Sequence, residues 1–245
     1  MPGYLTKQES VEVDGVGPLI IRSLLDRQQF ADPLGVAERL GISSAAWPLF
    51  GLLWPSGSHL AARLASRPVL GGERILELGC GLGLASLVGH RRGADVTASD
   101  CHPLAQAFLA ENLRLNGLPG LKYRHGRWGP ALAPDAGWPA DPSLRGRFDL
   151  IIGSDLLYER DEDGQLARYI TRHASACAEV WIIDPDRGNR AAFNRQMDLR
   201  GFERSEARLA AASVAVGQPA YKGRVLVYHR TGADRSRANS PGRAA

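Results

Sequence analysis

Residues 74–100 read RILELGCGLGLASLVGHRRGADVTASD, and the change of rhythm along this stretch decides the fold. Residues 74–78 are a short apolar run of strand type, glycines stand at 79, 81 and 83, and residues 84–92 have helical spacing. Residues 94–99 form a second strand run that ends in Asp100. Glycine lets the loop backbone come close to a ligand, and the N–H groups that open a helix favour an anionic group. A carboxylate at the tip of the next strand can accept both hydroxyls of a ribose. The unit is therefore expected to hold a ribose-containing cofactor with an anionic end.

Glycine spacing separates two cofactor classes. A dinucleotide fingerprint would place glycines at 79, 81 and 84, and position 84 is Leu84. The chain instead has Glu77 two residues ahead of the alternating Gly79, Gly81 and Gly83. That arrangement resembles motif I of the seven-strand S-adenosylmethionine-dependent methyltransferases. The resemblance implies an α/β, Rossmann-like seven-strand methyltransferase sheet, mostly parallel with an antiparallel last strand and helices on both faces. It implies that Gly79 and Gly81 wrap the methionine portion of the cofactor and that Asp100 holds its ribose. The plain alternative is a glycine-rich turn that binds nothing. Cys80 and Cys101 sit beside this loop and Asp100, either near the ligand or as small residues filling tight space.

A chain of 245 residues suffices for one α/β domain with a full core. The apolar runs are too short to span a bilayer, and MPGYLTKQES lacks the basic and apolar regions of a leader, so a cytoplasmic protein is expected. Three cysteines without paired spacing indicate neither a disulfide framework nor a metal site. The net charge is +4 and the pI about 9.2. Residues 231–245 carry Arg235, Arg237 and Arg243 against Asp234, which is half of that excess, and their small, polar composition predicts a disordered tail. No basic stripe interleaved with aromatics remains, so no nucleic-acid partner is expected.

Outside the central unit, residues 10–25 carry two β-rich runs around Asp14-Gly15, a hairpin signal in an N-terminal arm of residues 1–46. Residues 26–46 read as loop with a helical turn or two, and residues 56–66 as a helix. A helix ends at Asn116-Gly117, with His102 in the turn that enters it. A third strand covers 121–125, and residues 130–146 form a surface loop containing Trp138. Residues 148–152 are a continuous apolar run broken only by Asp149, as a central strand buried on both faces requires. A helix over 165–178, a strand over 179–183, a helix over 190–200 and strands over 201–209 and 224–229 complete the alternation. The methyltransferase domain is expected to span 47–230.

Strand-end residues point to chemistry. The run at 148–152 stops at Gly153-Ser154-Asp155, and in an open parallel sheet ligands lie beyond the carboxyl ends of the strands. Asp155 and Tyr158 would then share a rim with Gly79 and Asp100; the alternative is Asp155 as a helix cap with Tyr158 packed against it. Leu53-Trp54-Pro55-Ser56-Gly57, the Trp128-Gly129 pair, Asp155-x-x-Tyr158 and Asp184-Pro185-Asp186-Arg187 resemble segments of the protein lysine methyltransferases grouped as family 16. The resemblance is to the branch acting on the electron-transfer flavoprotein β subunit and its bacterial relatives. It implies catalytic roles for Asp155 and Tyr158. The cofactor would meet Trp54, Glu77, Gly79, Cys80, Gly81, Gly83, Asp100, Cys101, Trp128 and Ser154. Arg127 stands where that family often has an acid beside the Trp-Gly pair, so adenine recognition there falls to backbone groups.

The expected activity is N-methylation of protein lysine from S-adenosyl-L-methionine, with no metal. A small-molecule N-methyltransferase acting on an amine and a non-catalytic cofactor-binding protein are the alternatives, and a nicotinamide-dependent dehydrogenase is a third that Leu84 opposes. An open rim around Asp155 would favour a protein acceptor.

Overall fold

The computed structural model describes residues 3–129, 144–209 and 221–232. The expected loop of 130–146 lies outside these residues up to 143, as do Trp138 and the tail from 233. A hairpin of β1 (Thr6–Val11) and β2 (Leu19–Leu24) comes first, followed by the short α1 (Val36–Arg39), a 3-10 turn (Trp47–Gly51) and α2 (Pro55–Ser66). Then come β3 (Arg74–Leu78), α3 (Leu84–Arg91), β4 (Asp95–Asp100), α4 (Ala105–Leu115), β5 (Lys122–His125) and β6 (Phe148–Ser154). The chain continues with α5 (Gln165–His173), β7 (Ala174–Asp184), α6 (Arg190–Asp198), β8 (Glu203–Arg208) and β9 (Arg224–Arg230).

Seven of these strands form one sheet in the order β5-β4-β3-β6-β7-β9-β8. The first five are parallel neighbours, and β9 runs antiparallel between β7 and β8. This is the sheet expected from the sequence. Strand β6 lies inside it with both faces covered. Leu150 and Ile152 enter one apolar cluster with residues of α2, α3, α4 and the hairpin, while Phe148 and Ile151 enter a second with residues of α5 and α6. Sequence order reverses beside β3, whose neighbours are β4 and β6, and a crevice opens there above the carboxyl ends.

One boundary differs from the expectation. The helical pattern over 165–178 ends at His173, and Ala174 already pairs with Phe148. The partner then jumps to Glu179 opposite Leu150, so residues 175–178 bulge from the ladder. The Ala174 carbonyl accepts hydrogen bonds from Arg147 Nη1 at 2.8 Å and Arg230 Nη2 at 2.7 Å. Partners from two neighbouring strands thus override the helix preference of an alanine-rich stretch.

The hairpin is bound tightly to the body. Leu19, Ile21 and Leu24 are fully buried in the cluster that contains Phe108 and Leu109 of α4. Asn112 and Asn116, one turn apart on α4, meet alternate residues of β2. Arg22 N donates to Asn112 Oδ1 at 2.8 Å and Ile20 N to Asn116 Oδ1 at 2.9 Å. Asn116 Nδ2 returns a bond to Ile20 O at 2.8 Å, while Asn112 Nδ2 donates to Leu82 O at 3.2 Å in the glycine loop. Asn112→Ala leaves the buried Arg22 N–H and Leu82 carbonyl without these partners and is expected to cost about 2–4 kcal/mol. Urea denaturation measures the loss, and amide exchange at Arg22 should quicken; an unchanged midpoint would show that the tie contributes nothing.

Candidate active site

The crevice contains a cavity of about 320 Å³ bounded by the loop after β3, the ends of β4 and β6, and the segment before α2. Its floor is the loop at 79–83. Gly79, Gly81 and Gly83 all take left-handed φ, at 59°, 52° and 76°. A Cβ on Gly81 would lie 2.7 Å from the Phe50 carbonyl oxygen, a backbone atom that cannot swing aside. Gly83 is the N-cap of α3, and Leu84 and Ala85 at the start of that helix line the cavity.

Two buried carboxylates hold the loop from beneath. Glu77 Oε2 accepts Ser86 N–H at 2.8 Å and the Ser86 hydroxyl, which ties β3 to the first turn of α3. Asp100 spans the loop and its own turn: Oδ2 accepts Gly81 N–H at 2.8 Å and Oδ1 accepts His102 N–H at 2.8 Å. Burial pushes the Glu77 carboxyl up to about 7 against the pull of the Ser86 bonds, with a smaller push from Asp100. Burial likewise raises Asp100, opposed by its backbone N–H donors. Glu77 and Asp100 both line the cavity, although the bonds of Glu77 run to the protein itself. Cys80 and Cys101 also line it, and burial raises both thiols, Cys101 to about 12, so each is protonated at neutral pH.

The far wall comes from β6. Ser154 ends the strand, Asp155 and Tyr158 follow, and all three border the cavity. No helix follows Asp155 directly, since α5 starts at Gln165 and takes its cap from Asp161. The helix-cap alternative for Asp155 is thereby set aside. Asp155 is non-glycine yet has φ 58°, and its N–H donates to Ile183 O at 2.8 Å. Its carboxylate contacts Ser56 Oγ at 3.4 Å and Arg187 Nη2 at 3.2 Å through Oδ2, while Arg187 Nε lies 3.0 Å from Oδ1 as an ion-pair contact. Tyr158 is 46% exposed at the rim. Trp54 donates Nε1 to Leu49 O at 2.9 Å and forms part of the cavity wall, as does Trp128.

Every residue singled out from the sequence as a site residue thus borders one cavity. Several others there carry no sequence signal of a ligand. Leu40, Ile42 and Phe50 come from the segment before α2, which has no periodicity to mark it. His102 was placed only in a turn, yet it stacks on Phe50 with ring centroids 3.7 Å apart. Burial lowers its pKa to about 3, so the ring is neutral. Its Nδ1 accepts Leu104 N–H at 3.2 Å, which puts the ring proton on Nε2, and this buried donor has no protein partner among the described residues.

Comparison with known proteins agrees with this geometry. Magnesium protoporphyrin IX methyltransferase from Synechocystis, solved with bound S-adenosylmethionine, shares the fold at a TM-score of 0.52. The two are 16% identical, with 71% of this chain and 78% of that one covered. The architecture is that of the seven-strand methyltransferases. A family model described as lysine methyltransferase matches residues 49–191, more than half of the chain, and the chain belongs to that family. It is 29% identical over 206 residues to the electron transfer flavoprotein beta subunit lysine methyltransferase of Rattus norvegicus, covering 81% of this chain and 73% of the relative. The protein of the same name from Danio rerio is 37% identical over 160 residues, 62% of this chain and 55% of its own length.

The raised pKa of Glu77 has a defined signature in stability. Its value of about 7 in the fold lies above the ordinary 4.5, so the fold binds a proton that the unfolded chain has lost between those pH values. Its contribution is fully present below about 4.5 and is lost as pH rises through about 7. Glu77→Gln keeps an acceptor for Ser86 N–H and cannot ionise. The stability of the variant relative to wild type is expected to rise by about 3 kcal/mol from pH 4 to pH 8. Denaturant melts across that range measure it, and a gap that stays constant with pH would contradict the burial of an ionising Glu77.

Proposed function

We propose that this chain methylates the side-chain nitrogen of lysine in a partner protein, with S-adenosyl-L-methionine as donor. The observation that carries the reading is the carboxylate of Asp155, half enclosed at the end of β6 on the rim shared with Asp100 and beside the exposed Tyr158. An acceptor nitrogen needs a polar group that fixes it in line with the transferred methyl, and such positioning is the main task in a displacement of this kind. The relatives named above are lysine methyltransferases, which supports the choice of acceptor.

The cavity suits the donor. Asp100 accepts the backbone N–H groups of Gly81 and His102, and a lone pair left over can receive a ribose hydroxyl. The left-handed glycines and the opening turn of α3 suit the amino acid end, with its carboxylate at the helix N-terminus. His102 Nε2–H is a buried donor in the wall that a ligand acceptor would satisfy. Trp54, Cys80, Cys101, Trp128 and Ser154 complete the enclosure. When bound, the donor supplies a sulfonium methyl that the acceptor lone pair takes while the C–S electron pair stays on sulfur.

Lysine at its ordinary pKa of about 10.4 is an ammonium ion at neutral pH, and freeing its lone pair at pH 7 costs about 4–5 kcal/mol. Asp155 is assigned orientation and capture of the nitrogen, and Tyr158 the shape of its entry. The exposure of Tyr158 and Glu159 gives a lysine chain an approach from outside, which favours a protein acceptor over a metabolite. A reducing compartment such as the cytoplasm suits three free cysteines.

Incubation with methyl-labelled S-adenosyl-L-methionine and a size-fractionated lysate tests the reading. Label is expected in a discrete protein band, on lysine by mass spectrometry, and Asp155→Ala is expected to lower its rate by about 100-fold or more while cofactor affinity changes little. Label confined to small molecules would replace the lysine assignment with an amine metabolite.

A further inference from the structure

Among the described residues, the non-glycine residues with left-handed φ are Asp155 at 58° and Asp186 at 66°. They follow the carboxyl ends of adjoining strands, β6 and β7, and such conformations persist only where their surroundings impose them. The loop after β7 shows how. Asp184 Oδ2 accepts Asp186 N–H at 3.0 Å, and the Asp186 carboxylate pairs with Arg190 at 3.5 Å and Arg224 at 3.4 Å. The next residue, Arg187, is thereby carried over the cavity rim. Its guanidinium meets both oxygens of Asp155 and lies 5.9 Å from the centre of the Trp54 ring. Asp184 caps no helix, because α6 does not begin until Arg190.

On the proposed reading this pair has a consequence for the acceptor. An ionised carboxylate close to a lysine nitrogen favours the ammonium form, which has no lone pair to give. Asp155 alone would therefore hold the acceptor in its unreactive state. We propose that Arg187 is a positioning residue that acts through Asp155: it fixes the carboxylate at the rim and cancels its charge, so that the acceptor is oriented without being kept protonated. The proton leaving the ammonium goes to solvent. This extends the lysine-methyltransferase reading and rests on it for the identity of the acceptor.

Among the described residues, the other groups that touch Asp155 or lie beside the pair are neutral, acidic or engaged elsewhere. Ser56 on α2 touches Asp155 Oδ2 and is bonded to the Tyr221 hydroxyl at 2.8 Å, and burial raises that phenol to about 12, so both are neutral. His59, beside Tyr221, is lowered by burial and neutral. Asp184 and Asp186 on the β7 side, Glu159 on the rim and Asp100 across the cavity are acids, and Cys101 is a protonated thiol. Of the cations nearby, Arg190 and Arg224 are engaged with Asp186 and Glu206, Arg27 lies over the Trp54 ring at 4.9 Å, and Arg127 lines the cavity where it acts on Cys101. Among the described residues, Arg187 is the guanidinium in an ion pair with Asp155.

The test compares wild type with Arg187→Met and Arg187→Lys, each also in an Asp155→Asn background. The first measurement uses n-butyltrimethylammonium, a fixed-charge mimic of the acceptor side chain, titrated by calorimetry. Arg187→Met is expected to bind it about tenfold tighter than wild type, Arg187→Lys to stay near wild type, and the difference to vanish in Asp155→Asn. The second follows methyl transfer to the labelled protein against pH. In Arg187→Met the acid limb of kcat is expected to move up by about 1 pH unit while KM for the acceptor falls. Loss of activity at every pH with an unmoved limb, or unchanged binding of the cation, overturns the proposal. A wild type that labels no protein lysine defeats the lysine reading, and the cation titration still decides the role of Arg187.

Discussion

Two buried acids sit under a loop made mostly of glycine, and the upper half of the structure depends on how their charge is met. Glu77 stands one residue before the end of β3 and Asp100 ends the neighbouring parallel β4, and each is disfavoured as an ion by burial. Backbone N–H groups answer them: Ser86 for Glu77, Gly81 and His102 for Asp100. Those donors belong to the glycine loop and to the turns after β3 and β4, so satisfying the acids fixes the loop. Left-handed glycines are then the residues that allow the backbone to fold down to the carboxylates, with Gly81 pressed against the Phe50 carbonyl. Carboxylate burial, loop conformation and the shape of the cavity floor are one constraint seen from three sides.

A division of labour follows along the sheet. The ends of β3 and β4 carry the buried acids and the glycines, on the side that the proposed function gives to the cofactor. The ends of β6 and β7 carry the two left-handed aspartates and an arginine, on the side that the proposed function gives to the acceptor. The contrast is one of exposure. Asp100 is buried and borders the cavity floor, whereas the side chain of Asp155 is 14% exposed and that of its partner Arg187 43% exposed. Adjoining strands of one sheet thus give a rigid half and an adjustable half within a single rim.

Much of this was legible in the residues because the relevant signals are local. The apolar run of β6, the glycines after β3 and Asp100 at the end of β4 each depend on neighbours within a few positions, and they located both fold and cavity. The signals that failed are long-range. Nothing near residues 174–178 reveals that guanidiniums from Arg147 and Arg230 hold Ala174 in a strand, so a helix seemed to continue. The contribution of Leu40, Ile42 and Phe50 to the cavity arises from where the hairpin and α4 set the segment before α2. Arg187 belongs to the Asp184-Pro185-Asp186-Arg187 segment, but its partner is 32 residues away in sequence, and the pairing of β6 with β7 brings them together.

Small sheets have a weakness that the N-terminal hairpin shows how to avoid. A two-stranded ribbon exposes a row of unpaired amides along each outer edge, and such a row invites strands from other molecules. Along the outer side of β2, the side-chain amides of Asn112 and Asn116 take the donors of Arg22 and Ile20, as a third strand would. A helix thereby finishes a sheet, using carboxamides spaced by one helical turn to match residues spaced by two along a strand. The same pair of side chains that fastens the hairpin to the body also makes that edge unavailable to a neighbouring chain, so attachment and resistance to aggregation are one property of this surface.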